Sequence, residues 1–397
     1  MRLSNRFVVI FIITFSCIFA VRLQAQNFQF SGYAKYLFSR SSYPYISGAL
    51  NDHLIHIRLN NHYYFNDNLN MALETRIRTY YGQSVERIPG FKELNKHHYP
   101  LGDLGWEFLS GKKLFGYAEI DRAYADYEGN NFEFTMGRQR VAWGTSLVWN
   151  VIDLFNPMSV LDFDYEERPG SDAIRLQYFT GPVSRLELVV APHKRAENST
   201  WAFMWASHFG EYDFYLLGGQ KQQRRILGFA WSGYIKEAGF RGECKISDSP
   251  SKGAHVSSSP FTPQLTANRK ANIQAVLSFD YAFPNTFYIH SEAYFNRDGI
   301  TRNTGWYWNQ TNRADMLSPA RWSLFQEFAY DVHPLIRADV FALFNPTDRS
   351  VLFAPSLSWS VCTNLDLYTI AFLTDGTRFS EYRAYGKALF LRMKYSF

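Results

Sequence analysis

From residue 28 onward the chain repeats one pattern: a run of about ten residues alternating apolar and polar, closed off by turn residues. Eighteen such runs can be counted, from 28–38 to 388–397. In 69–81, Leu69, Met71, Leu73, Ile77 and Tyr81 share one parity and Glu74, Arg76 and Arg78 the other. In 272–283, Ile273, Ala275, Leu277, Phe279, Tyr281 and Phe283 oppose Asn272, Gln274, Ser278 and Asp280. In 335–344, Ile336, Ala338, Val340, Ala342 and Phe344 oppose Arg337 and Asp339. Period two is the signature of a strand with unlike faces. A soluble sandwich shows it too, so alternation alone leaves the architecture open.

The connections decide it. Short turns such as Asn66-Asp67-Asn68, Gly129-Asn130-Asn131, Gly181-Pro182 and Pro284-Asn285 alternate with long segments at 39–52, 82–115, 144–172, 248–271, 297–322 and 375–387. Tight turns at one rim and long loops at the other are the rhythm of a hairpin barrel in a membrane. The expected fold is all-β: a closed antiparallel transmembrane β-barrel of about 16–18 strands, with short periplasmic turns and long extracellular loops. Two outer connections, 220–224 and 345–349, are short, which is why the strand number carries a range.

Composition agrees. Aromatics make up 18% of the 397 residues and charged residues 19%, against about 25% charged in an average soluble protein. Mean hydropathy is −0.27, which excludes a bundle of membrane helices. Aromatic clusters such as Tyr63, Tyr64 and Phe65, or Tyr80 and Tyr81, fall at run ends, where amphipathic rings meet the membrane interface.

Residues 1–25 read as a cleaved secretory signal. Arg2 and Arg6 precede an apolar run from Phe7 to Val21, and Leu23-Gln24-Ala25 places a small residue at the cut. The domain plan is therefore 1–25 signal peptide and 26–397 one barrel. The formal charge is +5. Removing Arg2, Arg6 and Arg22 leaves +2, too little to argue for a nucleic-acid partner. Cys244 and Cys362 are expected as free thiols.

Assigning the polar parity to the interior yields two arcs of charge, because a basic side chain at mid-membrane on the lipid face costs about 2–4 kcal/mol. One arc carries Arg58, Arg76, Arg78, Arg138, Arg140, Arg175, Arg185, Arg392 and Lys394, with Glu74, Glu119, Asp121 and Glu187 among them. The other carries Asp280, Glu292, Glu327, Asp331, Asp339 and Asp366 against Arg337. The expectation is a pore with a basic wall opposite an acidic wall, a field that orients polar or zwitterionic solutes. The competing expectation is that these charges pair and fill a plugged interior.

Enzyme signatures are missing. The sequence has no GxSxG, HExxH, P-loop or CxxC. His56 and His62 share the inward parity but stand about 20 Å apart at the strand rise, and His97-His98 lies in a long loop. No enzyme activity, cofactor or metal is expected.

Two stretches carry resemblances. The last run, ALFLRMKYSF, places Leu389, Leu391, Met393, Tyr395 and Phe397 on the lipid parity. It resembles the final strand of bacterial outer-membrane barrels, which implies recognition by the barrel-assembly machinery through Tyr395 and Phe397. The stretch Gly137-Arg138-Gln139-Arg140-Val141-Ala142-Trp143-Gly144, with Asn156-Pro157 and Glu166-Glu167-Arg168-Pro169-Gly170 beyond it, resembles porin-like outer-membrane proteins that include relatives of alginate-export barrels. That resemblance implies a large barrel with loop 144–172 folded into its mouth. Phe132, Phe134 and Met136 share a parity with Arg138 and Arg140, so a bulge near Gly137 is expected to switch faces.

The functional expectation is a porin-like outer-membrane channel for passive diffusion of small polar solutes, embedded in outer-membrane lipid. The alternative is a non-conducting barrel serving surface assembly, polysaccharide handling or adhesion. Nothing in the sequence marks an oligomer face.

Overall fold

A computed structural model describes residues 27–97, 99–156, 167, 169–248, 271–307 and 315–397. The signal-peptide assignment of residues 1–25 lies outside the described residues. The strands are β1 (Phe28–Ser42), β2 (Leu50–Tyr64), β3 (Leu69–Gly82), β4 (Gly105–Ser110), β5 (Leu114–Glu128), β6 (Phe132–Gln139), β7 (Ser171–Phe179), β8 (Arg185–Ala191), β9 (Thr200–Phe209) and β10 (Tyr212–Lys221). They continue as β11 (Arg224–Ile235), β12 (Ala238–Asp248), β13 (Ala271–Ala282), β14 (Tyr288–Asn296), β15 (Trp322–His333), β16 (Ile336–Asn345), β17 (Ser350–Cys362), β18 (Leu365–Asp375) and β19 (Lys387–Ser396).

Every pairing between these strands is antiparallel, and β1 closes on β19 with Tyr33 opposite Ser396 and Phe38 opposite Leu391. The sheet is a closed barrel, so it presents no open edge. Its seam is tightened by Phe397. The Phe397 N–H donates to the Gly32 carbonyl at 3.0 Å, the Gly32 N–H donates to the Phe397 carbonyl at 2.9 Å, and the Phe397 ring stacks on Phe30 at 5.7 Å. A Cβ on Gly32 would lie 2.2 Å from the Arg58 carbonyl and 3.0 Å from that ring, so glycine is required there.

All eighteen expected runs are present, and the eighteen complete the wall. The short outer turns are genuine hairpins: Gln222 and Gln223 carry the chain from β10 to β11 with φ of 47° and 68°, the left-handed pair a tight hairpin demands. The nineteenth strand, β4, lies inside the segment expected as loop 82–115, which also holds helical turns at Gln83–Arg87 and Phe91–Leu94. One edge of β5 pairs with β3 along its length. The other edge pairs with β4 over Glu119–Phe115 and with β6 over Ala123–Glu128. One lane of the wall is thus shared by β4 toward the outer rim and β6 toward the inner one. That is also why the run expected at 132–143 stops at Gln139.

Parity holds around the barrel. Leu389, Leu391, Met393, Tyr395 and Phe397 are exposed on the outer surface, as are Phe132, Phe134 and Met136. Cys244 shares the outward parity of β12, and Cys362 ends β17. Replacing Leu391 with arginine is expected to cost about 2–4 kcal/mol of folding free energy in lipid. A denaturant titration in vesicles reads that loss, and Arg392→Leu on the opposite parity should not reproduce it.

Candidate functional site within the lumen

Beyond the short turn at 129–131, β6 runs for eight residues and then leaves the wall. The switch of faces that precedes the exit is at Gly137. Its φ is +124°, and a Cβ would lie 2.3 Å from the Ala123 carbonyl oxygen. Met136 faces outward while Arg138, of the same parity, is buried. The faces switch where the sequence predicts, but through a glycine conformation: the β5–β6 register runs unbroken from Glu128↔Glu133 to Ala123↔Arg138.

Residues 140–156 then cross the interior. Val141, Trp143, Trp149, Val151, Ile152 and Leu154 are buried in one cluster with inward side chains of β7 to β18, among them Val189, Met204, Leu217, Val276, Phe325 and Leu352. Trp149 stacks on Tyr294 of β14 at 5.7 Å, and Trp143 donates its indole N–H to Glu187 Oε1 at 2.8 Å. The crossing is nearly diametric, because β14 lies eight places from β6 in a wall of eighteen.

Two wall carboxylates hold the far end. Glu243 of β12 accepts the backbone N–H groups of Thr145 (2.6 Å), Ser146 (2.9 Å) and Ile152 (3.1 Å). Glu292 of β14 accepts those of Leu147 (3.1 Å), Val148 (3.2 Å) and Trp149 (2.7 Å). Consecutive amides turned toward one anion form a nest, and bonds to a charged acceptor are stronger than neutral ones. The near end is closed by Asn156, whose Oδ1 accepts the Val141 N–H at 3.1 Å and whose amide donates to the Pro169 carbonyl and to Ser171 Oγ. The Trp143 and Asn156 of the resemblance motif therefore build the corner of an inward loop.

A second inward segment, 95–97 and 99–104, occupies the β2–β5 side. Arg58, 1% exposed, donates Nη1 to Asp121 at 2.8 Å and Nη2 to Glu74, and contacts Glu167 at 2.7 Å. The carboxylates of Glu74, Asp121 and Glu167 lie within 4.8 Å of one another, and the Arg58 guanidinium is the cation they share. A bulge in β5 opposite Glu74 and Thr75 turns both Asp121 and Arg122 inward, which adds a 3.4 Å contact from Arg122 to Glu74. Arg76 and Arg78 converge on Glu119, and Arg76 meets His97 Nδ1 at 3.1 Å. Burial, with Arg76 and Arg78 beside it, holds the His97 imidazole down to about 4 against the pull of Glu119, so it stays neutral at physiological pH.

Arg138 does not line a water-filled bore. It is buried at the junction of β4, β5 and β7, paired with Asp172 at 2.7 Å, donating to the Ile120 and Gly102 carbonyls, and stacked 3.4 Å over Tyr99. It seals the lane that β6 vacates. Glu292 likewise leaves the acidic wall, since its oxygens are turned to loop amides. The remaining predicted residues share the inward parity. Arg175 and Arg185 pair with Glu187 at 2.7 and 3.4 Å; Arg392 lies over Tyr368 and Lys394 over Tyr33. Asp280 is bound by Arg241, Asp331 by Arg337 at 3.3 Å and Glu327 by His290 at 3.3 Å; Ser356 donates to Asp339 at 3.2 Å. Asp366 stands opposite Lys394 in the register. Arg140 follows β6 into a polar recess of about 370 Å³ with Asp126, Glu133 and Arg175.

Several residues here escaped the sequence reading. Glu243, Lys245 and Lys35 lie on inward parities of strands whose interior faces were not singled out. Lys221 and Lys245 grip Asp315 at 2.7 and 2.8 Å, which ties the segment just before β15 to the inner wall. Glu381 is buried among the long-loop connections at one rim, accepting from Ser318 Oγ at 2.7 Å and Asn345 Nδ2 at 2.8 Å. Burial, with Asp348 beside it, pushes its carboxyl up to about 8. The folded loops then bind a proton that the unfolded chain releases near pH 4.3. This contribution is complete below that pH and is lost as pH rises through 8. Tryptic cleavage at Arg378 and Arg383 should therefore increase from pH 6 to pH 9 in the native protein and be pH-independent, relative to a denatured control, in Glu381→Gln.

One array superficially matches a hydrolase. Ser278 Oγ lies 3.1 Å from His290 Nε2, and His290 Nδ1 lies 3.3 Å from Glu327. Glu292 is also 3.4 Å from Nε2. Glu292 competes with Ser278 for the same ring nitrogen, and Ser278 is fully buried, out of reach of a substrate.

No protein-family model and no curated protein matches this sequence. Solved structures do match in shape. Acinetobacter baumannii OccAB2 aligns at TM-score 0.60 with 9% identity, over 94% of this chain and 98% of that one. Pseudomonas aeruginosa OccK5 (OpdH) aligns at 0.56 with 9% identity, over 94% and 98%. Acinetobacter baumannii OccAB3 aligns at 0.55 with 10% identity, over 93% and 99%. The fold is that of the outer-membrane channels. At such identities the likeness is one of fold, and the side chains described above are this chain's own.

Proposed function

We propose that the protein is a passive outer-membrane channel for small polar solutes, exported by residues 1–25 and carrying its assembly signal in the last strand at Tyr395 and Phe397. The observation that carries this reading is the lumen: a lipid-compatible barrel whose interior is polar and charged toward the periplasm and narrowed halfway by an inward loop. Arg140, Arg175, Arg185, Arg392 and Lys394 on one arc, and Asp280, Glu327, Asp331, Asp339 and Asp366 on the other, form the bore below that loop. Arg58, Arg76 and Arg78 brace its side with their carboxylates. A solute there meets both signs of charge, which favours dipolar species over simple ions of either sign. The finer kinship with alginate-export-type barrels rests on the Gly137–Gly144 stretch and its partners Asn156 and Pro169, which serve the inward corner.

The doubly flanked His290 supports a channel over an enzyme. Planar-bilayer recording with a solute-size series is the test. Discrete conductance steps with weak ion selectivity are expected; a barrel that conducts nothing would return the reading to surface assembly, polysaccharide handling or adhesion.

A further inference from the structure

We infer that Glu243 and Glu292 are positioning residues that set the width of the bore and at the same time hide two negative charges from it. The inference rests on the channel reading. Both carboxylates are buried, Glu243 at 1% and Glu292 at 3% exposure, although they stand at mid-height on the inward parity of β12 and β14. A buried carboxylate needs compensating donors. Here the donors are backbone: three amides of the loop on each carboxylate, with Thr145 Oγ1 added on Glu243 at 3.3 Å. Among the described residues, the ion-pair contact to either group is His290 on Glu292, at 3.4 Å.

The consequence runs both ways. Loop 140–156 stays across the lumen because undocking strips six amides of an anionic partner. The two carboxylates stay electrically silent because the loop covers them. Displacing the loop while keeping the carboxylates opens the bore and adds two negative charges to its wall. Displacing it by neutralising the carboxylates opens the bore without that charge. A merely structural role for the two glutamates makes no such distinction.

The test compares two double variants of the full chain in planar bilayers and in liposome swelling with a sugar-size series. Glu243→Gln/Glu292→Gln keeps the side-chain shape and removes the charge. Ser146→Pro/Val148→Pro keeps the charge and removes one N–H from each nest. Both are expected to raise single-channel conductance about twofold, a wider bore carrying more ions, to admit larger sugars, and to become chymotrypsin-sensitive near Leu147 and Trp149. Only the proline variant should shift the reversal potential toward cations. If both variants keep the native sugar limit and resist chymotrypsin, or if the proline variant widens without the cation shift, the inference is overturned. Chymotrypsin sensitivity reads the docking even if the native barrel conducts nothing, so failure of the channel reading is distinguishable from failure of this one.

Discussion

Replacing Arg58 with alanine is expected to cost about 3–5 kcal/mol, the range for removing one partner of a buried ion cluster. The side chain is 1% exposed and its guanidinium is shared by Asp121, Glu74 and Glu167. Without it, Glu74 and Asp121 remain buried with weaker partners: Arg122 at 3.4 Å and His62 at 3.5 Å from Glu74, and the Tyr99 hydroxyl at 3.4 Å from Asp121. Urea titration in lipid vesicles should show the loss as a lower midpoint. Arg58→Lys should recover only part of it, since an ammonium cannot serve the carboxylates with a planar fork. Adding Glu74→Gln and Asp121→Asn to Arg58→Met should recover more than lysine does, because the cost lies in the stranded charges. An Arg58→Ala barrel with the native midpoint would refute the cluster as a stabilising element.

The second large effect is at Trp149. It is 3% exposed, stacks on Tyr294 at 5.7 Å and sits at the tip of the crossing loop. Truncation to alanine should remove about 3–5 kcal/mol of packing while leaving the backbone N–H on Glu292 intact. The loss falls on the docking of the loop and not on the strand ladder. The unheated variant should therefore still migrate as a folded barrel on a gel, while its near-ultraviolet circular dichroism weakens and its solute limit rises. If the variant instead fails to form a heat-modifiable barrel, the loop is part of the folding core and not an accessory to it.

The wall was readable because parity is a local property: each run declares its lipid face within ten residues, and the two-residue turns declare their own geometry. The filling of the lumen was harder to read because it depends on contacts across the barrel. Glu292 and Glu327 both face inward and both touch His290, yet only Glu292 accepts the loop amides of Leu147, Val148 and Trp149. A partial signal did exist. Leu352 and Ala354 in β17, and Leu343 in β16, make the outer halves of those strands apolar on both faces, and a strand apolar on both faces is covered on both. Arg138 stays in β6 and Gly137 turns it inward, but its guanidinium is taken up by Asp172 and by the Ile120 and Gly102 carbonyls, contacts that no parity announces. The β4 insertion left no period-two trace long enough to recognise, since it spans only Gly105–Ser110.

The seam between β1 and β19 has a consequence for how the molecule is made. Every other full wall strand can pair with a chain neighbour as soon as that neighbour exists. The outer edge of β1 cannot, because Tyr33 to Ser42 wait for Lys387 to Ser396, the last of the nineteen strands in chain order. Until then the first strand carries an unsatisfied row of N–H and C=O groups, a template for pairing with the wrong chain. Closing the ring at once satisfies that row, removes it from lipid, and fixes the circumference into which the crossing loop must fit. Completion of the cylinder is thus a single late event, and the sequence that governs it is divided between the two ends of the chain.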